Sequence, residues 1–66
     1  MPRSMGDRLS AALVRQEALA IRSEDEARRY QELAQAAELI GLPEEVRYCA
    51  QMAAKLLADA EEIRAW

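Results

Sequence analysis

Ile40-Gly41-Leu42-Pro43-Glu44-Glu45 decides the fold, because it is the one interior stretch that strongly interrupts helix-forming sequence. Gly41 suits the left-handed position just past a helix C-terminus, where a Cβ is penalised. Pro43 suits the first turn of a following helix, whose N–H groups have no partner anyway, and Glu44 and Glu45 favour its positive end. The punctuation predicts helix 1 over about 7–40, with Ser4 or Asp7 near its N-cap, and helix 2 over about 43–65. Residues 1–66 form a single helical domain, with 1–6 expected to be a flexible lead. Two helices about so short a turn make an antiparallel hairpin.

Downstream of the turn, Val46, Cys49, Ala53, Leu56, Ala60 and Ile63 recur at alternating steps of three and four, a heptad seam in which alanine alternates with larger residues. Met52 and Leu57 widen the stripe beyond a two-stranded seam, so helix 2 is expected to touch more than one neighbour. Upstream, the matching columns read Leu9, Gln16, Ser23, Tyr30, Ala37 and Ala12, Leu19, Glu26, Leu33, Ile40, with Leu13, Ala20, Ala27, Ala34 beside them. That apolar face is clear at both ends and polar at Gln16, Ser23 and Glu26. Two readings follow. Helix 1 runs unbroken, or Ser23-Glu24-Asp25-Glu26 acts as a capping box that starts a new helix and gives a three-helix bundle. No glycine or proline precedes Ser23, which favours the unbroken helix.

A symmetric turn at 41–43 would pair residues whose numbers sum to about 84, bringing Trp66 level with about residue 18. Leu9, Leu13 and Val14 then lie beyond the end of helix 2, and burying such side chains is worth roughly 1.5–3 kcal/mol each. Another subunit is their natural cover.

The whole chain points the same way. Sixty-six residues lie near the lower limit for unaided folding, where disulfides, metal or partners are the usual supplements. One cysteine and no histidine exclude an internal disulfide and the usual zinc spacings. The composition is rich in Ala, Glu, Arg and Leu, with two glycines, two prolines and no phenylalanine, so helix is favoured and disorder is not. A net charge of −3 argues against nucleic acid and anionic membrane as partners. No apolar run follows the N-terminal Met-Pro-Arg-Ser-Met-Gly-Asp-Arg, so neither a secretory signal nor a membrane span is expected. A cytoplasmic location suits the lone thiol.

Arg8, Arg15, Arg22 and Arg29 repeat every seven residues and stay broadly on one side of the helix. A phosphate-tracking stripe is one reading; salt bridges beside the seam are the better one, since Glu26 lies four residues after Arg22 and Asp25 four before Arg29. Arg8 and Arg15 lack such acids, and their natural counterparts are Asp59, Glu61 or Glu62 of another chain. Among the carboxylates, Glu26 falls on a column aimed inward, where an ionised group needs a cation or hydrogen bonds. Cys49 on the seam reads as a structural thiol, and no histidine exists to activate it. Tyr30 and Tyr48 read as core-edge aromatics, and Trp66 as a frayed end or a subunit contact.

Glu17-Ala18-Leu19 and Glu26-Ala27-Arg28-Arg29-Tyr30-Gln31-Glu32-Leu33-Ala34 resemble the first helix of rubrerythrin-type ferritin-like proteins, and Val46 to Trp66 resembles their second. The resemblance covers about 50 residues, half of a four-helix bundle. Where that family places a glutamate, then a glutamate and a histidine, this chain has Ser23, Leu56 and Asp59. The resemblance therefore implies the half-bundle and its pairing into four helices. The only metal version it leaves is iron or manganese at a subunit interface, held by Glu26 with Asp59 or Glu62.

The functional expectation is a self-associating protein with an assembly, adaptor or regulatory role, with no catalytic residue and no cofactor evident. Its partner is itself, as a homodimer or higher oligomer, with an unidentified second protein as a further option. The interface is expected to use Leu9, Leu13, Leu19, Tyr30, Leu33, Cys49, Ala53, Leu56, Ala60 and Ile63. The alternative is the ferritin-like carboxylate protein just described.

Overall fold

The computed structural model describes residues 5–66 and contains two helices, α1 (Met5–Leu39) and α2 (Pro43–Arg64). Ser4 and most of the expected flexible lead fall outside the described residues, while Met5 and Gly6 belong to α1. The molecule is a rod, with principal extents of 60 × 18 × 9 Å. No strand is present among the described residues, and no helix is long and apolar enough to cross a membrane.

The turn is built as its residues dictate. Gly41 takes φ 75°, a conformation any side chain would strain. Its N–H donates to the Glu38 carbonyl at 3.2 Å, and the Leu42 N–H reaches back to the Ala37 carbonyl at 2.9 Å. These two bonds are the Schellman closure of α1. Leu42 then caps α2 through its backbone, the Val46 N–H donating to its carbonyl at 3.1 Å, with Pro43 in the first turn.

This closure corrects the expected register. It folds Leu42 back level with Ala37, so α2 starts about a turn nearer the N-terminus of α1 than a symmetric turn would place it. Gln16 meets Ile63 and Ser23 meets Leu56, pairs whose numbers sum to 79. Trp66 is consequently level with about residue 13, not 18, and the overhang shrinks to roughly residues 5–12.

α1 passes through Ser23 without a break, so the three-helix reading is excluded. Ser23 is no cap; its hydroxyl donates to the Leu56 carbonyl at 2.6 Å, across the seam. One heptad earlier, the Gln16 Nε2 donates to the Ile63 carbonyl at 2.5 Å. Two of the three polar residues in the middle of helix 1, Gln16 and Ser23, are therefore satisfied by the backbone of α2.

The seam itself is made of small side chains. Ala20, Ala27, Ala37, Cys49, Ala53 and Ala60 are buried, and no large side chain among the described residues is fully so. The register places Ala20 opposite Ala60, Ala27 opposite Ala53 and Ala34 opposite Val46. Alanine against alanine lets two helix backbones come close, at the expense of the apolar area that larger residues would hide.

Candidate functional site

Because the seam uses the 16, 23, 30, 37 and 20, 27, 34 columns, the 19, 26, 33, 40 column becomes a flank of the hairpin. Glu26, expected to point inward, is exposed. Its charge stays in water and requires neither a cation nor a cap. On the same flank, Leu33, Ile40, Leu42 and Tyr48 border one apolar groove with Tyr30 and Glu45. The rings of Tyr30 and Tyr48 meet edge-to-face at 6.4 Å and 76°. The heptad continues this surface through Leu19 on α1 and through Met52 and Asp59 on α2.

The face is apolar and open. Leu33 is 55% exposed, Ile40 71% and Tyr48 54%. Of the ten residues expected at an interface, Tyr30, Cys49, Ala53, Leu56, Ala60 and Ile63 are buried or half-buried along the seam between α1 and α2. Leu19 and Leu33 lie on the open face, and Leu9 and Leu13 are exposed at or beyond the end of α2.

The opposite flank is charged. Arg64, in the last turn of α2, reaches two glutamates of α1 at once: its Nη2 lies 2.9 Å from the Glu17 Oε1 and 2.7 Å from the Glu24 Oε1. Its Nε and Nη1 complete both pairs at 3.2 and 3.0 Å. The hydrogen bonds from Arg64 hold both carboxyls below the usual glutamate range, against a smaller opposing effect of desolvation. The same two carboxylates raise the Arg64 guanidinium above its ordinary value. Neither this clamp nor the Gln16 hydrogen bond was foreseen from sequence. The signal available was Glu17 and Glu24 one heptad apart, with a lone cation near the end of helix 2.

The pairs expected within helix 1, Arg22 with Glu26 and Arg29 with Asp25, are not closed; the ion pairs found run between the helices. No group of three Cys, Asp or Glu side chains converges among the described residues, so Glu26, Asp59 and Glu62 do not meet within one chain. Cys49 is a free, buried thiol. Compared with family models, curated proteins and solved structures, the chain matches none.

Proposed function

We propose that this chain is a non-catalytic assembly module, a hairpin that completes its core by pairing its open apolar face with a second copy to give a four-helix bundle. The observation that carries the reading is that face, set beside a seam of alanines. A compact monomer of this mass exposes about 4,200 Å². The hairpin, at 7.4 kDa, exposes 5530 Å². The excess of roughly 1,300 Å² per chain compares with about 800 Å² per partner in an interface of ordinary size. Two copies thus have enough surplus surface for a stable, predominantly apolar contact. Its role is then structural, joining or positioning whatever is attached to or bound by the bundle.

Sedimentation at micromolar concentration tests the reading. A dimer or larger species is expected, shifting to monomer when Leu33 and Ile40 are both replaced by lysine. A well-folded monomer across the micromolar range would overturn it.

A further inference from the structure

Building on that reading of the open face as the self-association surface, we infer that the second copy docks with its α2 laid along α1, both turns lying at the same end of the bundle.

The two edges of the face carry opposite charge. Beside the apolar column of α1 run Arg15, Arg22 and Arg29. The corresponding strip of α2 carries Glu45, Asp59 and Glu62, with Lys55 as its one cation. None of Arg15, Arg22, Asp59 and Glu62 forms an ion pair among the described residues. Two faces can meet about a two-fold axis in two ways. An axis parallel to the helices lays α1 on the partner's α2; an axis across them lays α1 on α1.

The first way has a property that makes it checkable. Rotation about an axis parallel to the helices leaves the height of every residue unchanged, so the register within one hairpin also governs contacts between hairpins. Gln16 is level with Ile63 and Ser23 with Leu56. Arg22 therefore comes within about two residues of the partner subunit's Asp59, and Arg15 within about three of the partner subunit's Glu62. Glu26, the acid on the α1 side, comes within about two of the partner subunit's Lys55. At about 1.5 Å per residue, all three offsets are within side-chain reach. Even the one cation of the acidic strip finds an acid.

The second way does the reverse. With the two α1 helices fully overlapped and antiparallel, Arg22 faces its own copy and Arg15 faces Arg29. Like charges so placed oppose association, and complementary ones set orientation and register.

Spin labels on the full chain decide between the two. A label on Glu44→Cys in a Cys49→Ala background sits beside the turn. The same-end arrangement places the two labels about 20–25 Å apart, while the crossed arrangement separates them by about 40 Å. Without labels, Arg22→Asp should raise the dimer dissociation constant by about three- to tenfold, since two symmetric contacts are lost. Adding Asp59→Arg should restore most of the affinity. A dimer with the long distance and no rescue would overturn this arrangement and leave the assembly reading standing. A monomer at all concentrations would overturn both.

Discussion

Ser23 and Leu56 are joined across the seam by a 2.6 Å hydrogen bond, from the serine hydroxyl to the main-chain carbonyl of the leucine. That carbonyl belongs to the hydrogen-bond ladder of α2, so removing the hydroxyl strands no buried group. Ser23→Ala should therefore cost less than about 1 kcal/mol, the lost bond being partly offset by alanine's better helix propensity. Ser23→Leu should cost about 1–3 kcal/mol, because the added bulk must fit between two close backbones. Urea melts of the two variants measure the difference, and a leucine variant as stable as the alanine one would show a loose seam.

Ala53 lies opposite Ala27 and is 4% exposed. Ala53→Leu should overpack the seam and destabilise by roughly 1–3 kcal/mol, seen as a lower urea midpoint with an unchanged slope. Ala54→Leu, on an exposed position, supplies the control and should change stability by less than about 0.5 kcal/mol.

Gly41 has open space around the position a Cβ would take, yet its φ is 75°. Gly41→Ala should cost about 1 kcal/mol through backbone strain alone, and Gly41→Asn less, since asparagine tolerates the left-handed region. Equal losses for the two would point to something other than the dihedral.

The Arg64 clamp should show in the response to acid. Glu17 and Glu24 titrate below the ordinary glutamate value of 4.5 in the folded chain. A carboxyl whose folded pKa is depressed contributes stability above its unfolded pKa and loses it as pH falls through the folded value. Stability should thus decline as the pH drops through about 5 and below. Arg64→Gln should flatten that decline, and added salt should do the same, because the groups are exposed and readily screened. Thermal melts from pH 7 to pH 3 with and without the substitution measure it.

The hairpin could be read from sequence because its signals are local. Gly41 and Pro43 act through backbone geometry, and the α2 seam repeats without interruption. What escaped was relational. Three columns of helix 1 are apolar enough to compete for the seam, and from sequence the two leucines and isoleucine of one column outweigh the three alanines of another, which turns Glu26 inward. The structure buries the alanine column instead, Ala20 and Ala27 lying opposite Ala60 and Ala53. The register was missed for a similar reason, because the bond from Leu42 to the Ala37 carbonyl moves α2 by about a turn. Of the open face, Leu19, Leu33 and Tyr30 could be named from sequence, while the residues of α2 that lie level with them could be named only once the register was known.

The heptad repeat of the seam has one more consequence. If α2 slid seven residues toward the N-terminus of α1, Ala20 would face Ala53, Ala27 would face Val46, and Gln16 would sit where Ser23 now sits, against Leu56. Nothing in those layers tells the two alignments apart, and the slid one would even cover Leu9 and Leu13. What forbids it is the connection: only Ile40, Gly41 and Leu42 join the helices, and a slide of seven residues needs about 10 Å more chain. The seam holds the helices together but does not specify where they stop. Severed at the turn, the two helices would lose the constraint that fixes their alignment, so a three-residue connection that adds little to the seam carries information the seam layers lack.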